Sequence, residues 1–546
     1  MINNNNHDIF LNLIFRNKYL RNIIFNHLQL YKENYKKTFT IKQDYLDFKY
    51  KDYIVDLTID FKEDLSIGEL GNSIEELEFG QEYSTDRDPE FEKGVIPDSV
   101  QYLFFHQTAF SKHIKPGSIP SSVTYLKLWS EDNSPLFSNK VIPSSVKVLI
   151  LGPNSDLVLK KGDLPPYLEE LSFRTEYSLT GLLPPSLKNL SVGKNFNKTI
   201  LPNDLPDGLQ FLDLGTGFDQ ELFVGSLPPS LLTLILSGPY KYPLCPGIIP
   251  ESVKKLEFEN FDQDLKPFDI PNGVEDLCLG WSFDKQLKKG DLPDSITSLS
   301  FGASYNQPFI PGESIPRNVK TLKLGYYFDQ VLQINDIPSS VHTLEFDNSY
   351  NKVLLPGVIP SSVTNLTIFG SKYEHLILPN VIPPSVTLLK FGRYFNRPIP
   401  HQVIPSSVKS LYFQVLFNQP IEPGVIPFGV ENIYFCGTFN QPLAANSFPS
   451  SLQKITIGTY FNQPLNSLVF PDSVKHLEIY GFNQPILESH LPPFLETLIL
   501  GEAFEQTIIP GTIPQCIKNI TFENKNMKCL ISENAIPDSV NITYHN

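Results

Sequence analysis

Two groups of residues in this 546-residue chain have types and spacings that could do chemistry. The first is Glu257 with Asp276, carboxylates on successive copies of a repeat, with Lys255 beside them. Paired carboxylates can serve as general acid and base on a glycosidic bond. The same residues also make an ordinary solvated face of mixed charge, and that is the reading adopted. The second group is aromatic: Tyr102, Phe104, Tyr125 and Trp129 with Lys127 among them, and farther along Tyr412 with Tyr434. Rigid rings beside a cation suit protein recognition rather than bond breaking. Other signals are missing. Ten histidines run from His7 to His545 without an H-E-x-x-H pair, and no G-x-S-x-G, P-loop or G-x-G-x-x-G motif follows a strand. Five cysteines (Cys245, Cys278, Cys436, Cys516, Cys529) show neither C-x-x-C spacing nor the pairing of a secreted scaffold. No catalytic residue, metal or cofactor is expected.

The elements that must position these side chains are set by proline. The motif [I/L/F]-P-x-x-[V/L/I] places its proline at 97, 120, 143 and onward to 514 and 537, twenty intervals that average 22 residues. A fixed period of this length marks a solenoid. In one clean copy, Pro405 to Ile426, numbering the proline as position 1, apolar residues hold positions 4, 7 and 9 (Val408, Leu411, Phe413), then 13 and 17 (Phe417, Ile421). Position 7 is Leu or Ile in all twenty copies from Leu103 to Ile520. The unit L-x-F therefore predicts a short strand with positions 7 and 9 inward and positions 6 and 8 outward. Prolines near positions 1, 16 and 19 cannot donate to a ladder or continue a helix, so they belong to corners, and a glycine near position 20 fits a tight turn. The fold class is all-β: a β-solenoid of 22-residue repeats with a small N-terminal helical segment.

The chain resembles the FNIP repeat family, a leucine-rich-repeat-like family named for a tetrapeptide close to F-N-x-P. The matches include Phe395-Asn396-Arg397-Pro398, Phe417-Asn418-Gln419-Pro420, Phe439-Asn440-Gln441-Pro442 and Phe461-Asn462-Gln463-Pro464, with looser forms such as Phe218-Asp219-Gln220. The resemblance covers about residues 71 to 546 and implies a leucine-rich-repeat-like solenoid with its strand ladder on one face. Physically, the aromatic ring plugs the core behind the strand while Asn or Asp bonds backbone at the corner, a structural role.

Residues 51–546 are read as the solenoid, two degenerate coils followed by 21 proline-marked ones, the last incomplete. The degenerate coils carry Ile54, Leu57, Ile59 and Ile74, Leu77, Phe79 at positions 4, 7 and 9. Residues 1–50 are read as a helical cap or docking segment, from Leu13, Leu20, Ile24 and Leu28 interspersed with Arg16, Lys18 and Arg21. Because some FNIP repeat proteins carry an F-box ahead of their repeats, the resemblance implies an alternative: a substrate adaptor of a ubiquitin ligase. The Leu-Pro opening of an F-box is missing here.

A formal charge of -15 argues against nucleic acid or an anionic membrane surface as partner. Cysteine usage, the absence of a long apolar run and the lack of a basic-then-apolar start point to a soluble, cytoplasmic protein. The expectation is a monomeric, non-enzymatic scaffold that binds an as yet unidentified protein through the variable outward strand face. A carbohydrate-acting solenoid is the further alternative.

Overall fold

Three or four residues per coil form the strand, because only there do apolar residues alternate without a proline or glycine to end the ladder. The computed structural model describes residues 18–82, 92–106, 114–129, 137, 140–152, 158–347, 349–370 and 372–544. Strand Ser410–Phe413 shows the unit: it pairs in parallel with Asn432–Phe435, Leu411 opposite Ile433 and Phe413 opposite Phe435. Leu411 and Phe413 are fully buried while Ser410 and Tyr412 are half-buried. Twenty-four such strands are described, from Lys36–Phe39 to Asn541–Tyr544.

The chain divides into two compact units, residues 1–242 with 247–253 and residues 243–246 with 254–546. The first holds ten strands, Lys36–Phe39 through Thr233–Leu236, and the second fourteen, Lys255–Phe258 through Asn541–Tyr544. Within each unit neighbouring strands pair in parallel and in chain order, one per coil.

Three further ladders hold the coils together, and each repeats one sequence position. The motif rings of Phe395, Phe417, Phe439, Phe461, Phe482 and Phe504 stack with centroids 6.0 to 6.4 Å apart. Each following Asn satisfies the next coil: Asn418 Oδ1 accepts from the Asn440 amide at 2.9 Å and from Gln441 Nε2 at 3.1 Å. Asp284 does the same for Asn306 and Gln307, which explains why Asp and Asn interchange here. At the proline corner Ser407 Oγ donates to the Val386 carbonyl of the coil before at 2.8 Å. The turn ahead of each proline needs a left-handed residue, supplied by Gly424 at φ 86° and elsewhere by Asn203, Asn335 and Asn446.

The N-terminal segment holds the expected helix and, in addition, a strand. Helix Lys18–Asn34 is present, but Lys36–Phe39 is a strand paired with Asp56–Ile59, so the ladder starts within residues 1–50 rather than at 51. A four-residue strand with Lys37 in the slot that Leu57 fills in the next coil carries little solenoid periodicity, which is why it escaped the sequence pattern. Helix Lys42–Asp47 then places Tyr45, fully buried, where its hydroxyl donates to Glu69 O (3.3 Å) and accepts from the Gly71 amide (3.2 Å). Lys36–Phe39 and Tyr45 are thus built into the first coils. Residues 1–17, with Leu13 and Arg16, lie outside the described residues.

Candidate protein-binding face

Outward strand positions 6 and 8 form a second surface opposite the leucine ladder. Register places Tyr102 against Tyr125 and Phe104 against Lys127. Tyr102 and Tyr125 have ring centroids 5.8 Å apart, and Phe104 lies 5.3 Å from Tyr125. Lys127 Nζ sits 4.9 Å above the Trp129 ring, whose other neighbour is His106 at 5.7 Å. His106 Nε2 in turn meets Glu78 Oε1 at 2.9 Å. Tyr102 and Trp129 remain 44% and 39% exposed, so the five predicted residues form one accessible cluster. Burial pushes the Tyr125 hydroxyl pKa up, with Glu170 and Glu76 adding to the effect.

Contact with the N-terminal helix is the competing use of these rings. The ring contacts described for that helix go elsewhere: His27 and Tyr31 meet Tyr53, with centroids at 5.7 and 4.9 Å. On its N-terminal side the aromatic cluster borders acids instead, Glu76 opposite Tyr102 and Glu78 opposite Phe104. Glu76 is pushed above the usual carboxylate range by burial and by Asp56.

The second aromatic pair also comes together. Tyr412 and Tyr434 stack at 4.3 Å with planes 5° apart, and Lys390 and Lys454 cover the two outer sides at 5.4 and 5.8 Å. Lys454 is anchored by Glu478 Oε1 at 2.7 Å, and this hydrogen bond holds its ammonium above the ordinary lysine range. The stack satisfies itself more completely than the Tyr102 cluster does.

Glu257 and Asp276 lie on adjacent strands but not opposite each other. Register sets Asp276 against Lys255 and Glu257 against Cys278, so the two acids occupy diagonal rather than facing positions. Lys255 Nζ binds Glu257 Oε1 at 2.8 Å, which makes the mixed-charge face chosen from sequence. Trp281, 68% exposed, and Tyr326, 39% exposed, were missed because they sit at position 11, just past the strand. Reading position 11 across copies would have found both.

No group of three or more potential metal ligands occurs among the described residues, and no described helix is long and apolar enough to cross a membrane. No curated protein matches the chain. Among solved structures, CroV588, described as a novel circular LRR protein, is 28% identical with a TM-score of 0.64, covering 92% of this chain and 80% of that one. Mouse RP105, solved with MD-1, shares the fold at 14% identity and a TM-score of 0.51, covering 81% and 89%. FNIP repeat segments match from residue 61 to 155 and from 178 to 542 with one-residue interruption at 109, and the chain belongs to the FNIP repeat family.

Proposed function

We propose that the chain is a non-enzymatic scaffold that holds a protein partner on the outward face of its strands, in the cytoplasm and as a monomer. The observation that carries this reading is the Tyr102, Phe104, Tyr125, Lys127 and Trp129 cluster: accessible rings on a ladder whose inward positions are uniform and whose outward positions vary. Aromatic anchors ringed by polar groups are the usual composition of a binding hot spot. Lys255, bound to Glu257 at 2.8 Å and opposite Asp276, favours a mixed-charge face over the carbohydrate-acting reading of these acids. The N-terminal coil described above favours capping over ligase docking, since Lys36–Phe39 and Tyr45 are built into the first coils.

The test substitutes Tyr102→Ala, Phe104→Ala and Tyr125→Ala together. Partner recovery per folded molecule should fall by about thirtyfold or more, because hot-spot truncation costs about 2 kcal/mol or more. Circular dichroism should be unchanged. Early melting with unaltered recovery would make the cluster an internal contact and defeat the proposal.

A further inference from the structure

Where the ladder is regular, the residue after each strand donates its amide to the coil before, as Gly458 does to Phe435 O at 2.8 Å. In three successive coils of the second unit the ladder ends one residue earlier, and no such bond is described for the amides of Gly280, Gly302 and Gly325. The residue before each glycine makes the last ladder bond, to the next coil: Leu279 to Ser300 O at 3.0 Å, Phe301 to Lys323 O at 2.9 Å and Leu324 to Glu345 O at 2.9 Å. Their strands shorten to three residues, Asp276–Cys278, Ser298–Ser300 and Thr321–Lys323. Glycine follows each time, and it must: a Cβ on Gly302 would lie 1.1 Å from Gly280 O. Breaks of this kind, with glycine in place of a side chain, open room for another backbone or ligand to approach.

The room is present as a recess of about 400 Å³. Glycine backbone forms part of it, Trp281 and Tyr326 supply exposed rings, and Glu257, Glu259 and Asp347 supply three carboxylates with no basic side chain among the lining residues. Lys255 already offsets Glu257. Glu259 is half-buried and forms no ion pair among the described residues. An adjoining recess shares Asp347 and adds Glu345 with Lys323 and Arg393, so the basic side chains lie on that side and none lines the Trp281 side.

We propose that this recess receives an arginine side chain from an extended basic segment of a partner protein. A guanidinium is flat and weakly hydrated, stacks on an indole face, and presents N–H donors to carboxylates and carbonyls together. Lysine lacks the planar fork. A sugar ring would also stack on Trp281 and its hydroxyls could donate to the acids, but it carries no positive charge to match them. The site lies in a different unit from the Tyr102 cluster, so each can fail without the other.

Trp129 and Trp281 are the two tryptophans, so Trp129→Phe leaves Trp281 as sole reporter in the full chain. The probe is a blocked Gly-Ser-Arg-Gly-Ser-Arg-Gly-Ser peptide, compared with its Lys and Glu counterparts and with cellohexaose. The arginine peptide should change Trp281 emission saturably, the lysine peptide should bind more weakly, and the glutamate peptide should not bind. Glu259→Gln, which preserves shape, should weaken arginine-peptide binding about tenfold, equivalent to ~1.4 kcal/mol. Trp281→Ala, followed by calorimetry, should do likewise. The proposal is overturned if no saturable binding is found by emission or calorimetry, if the two substitutions leave affinity unchanged, or if cellohexaose binds in place of the peptide.

Discussion

Replacing Asn440 by Ala should loosen one corner of the second unit by a definite amount. Asn440 Oδ1 accepts from the Asn462 amide at 2.9 Å and from Gln463 Nε2 at 3.1 Å. Alanine removes both bonds and strands an amide at a coil interface. At about 0.5–1.5 kcal/mol net for each bond, the loss is roughly 1–3 kcal/mol. Asn440→Asp is the discriminating control, because Asp284 and Asp329 hold the same position and accept from Asn306 and Asn351 at 2.9 and 2.7 Å. Aspartate should therefore retain most of the stability. Since a repeat array need not unfold in one step, the assay is native-state hydrogen exchange at the Asn462 amide rather than a global melt. Equal protection in wild type and Asn440→Ala, or equal losses in the Ala and Asp variants, would refute the view that the motif asparagine is a corner acceptor.

Leu411→Ala empties a fully buried rung and should cost about 2–5 kcal/mol in denaturant titration, whereas the neighbouring Tyr412→Ala should leave the fold intact by circular dichroism. Deleting Pro338 to Ile359, one 22-residue copy, should preserve folding, because Asp329 would inherit the bond that Asn351 Oδ1 now makes to the Glu374 amide. Deleting about half as many residues there should cost far more, since it destroys the register; equal melting of the two deletions would contradict this. Asp336 is 3% exposed and burial raises its carboxyl pKa above the ordinary 3.8, so its ionised form opposes folding at neutral pH. Asp336→Ser should raise the melting temperature at pH 7, because Ser226 accepts the corresponding turn amide without a charge. That advantage should shrink as pH falls through the raised value and vanish below 3.8, where wild type is protonated in both states.

Most of the fold was legible because one proline and two apolar positions recur, and every coil repeats the same physical solution. Leu103 to Ile520 gave the ladder, and Phe417-Asn418-Gln419-Pro420 gave the corner. The pattern ran out where the repeat did. Lys36–Phe39 has no proline ahead of it and pairs through a charged rung, Lys36 with Asp56 at 2.8 Å. The aromatic cluster was readable because outward positions follow directly from the alternation. Diagonal relations were not: whether Glu257 faces Asp276 or Cys278 depends on a register offset that repeat numbering gives only when position 6 and position 8 are kept apart. The recess beside Trp281 depends on strands that end one residue early in coils whose side-chain pattern is ordinary.

The central claim is that the outward strand face is where a partner sits. A photoreactive residue placed singly at Phe104 and at Tyr125, both half-buried on that face, should cross-link in cells to one and the same protein. The same residue at Leu201, 52% exposed and outside the strand ladder, should not. Adducts from Leu201 but none from Phe104 or Tyr125 would place the binding surface elsewhere on the coils and contradict the account.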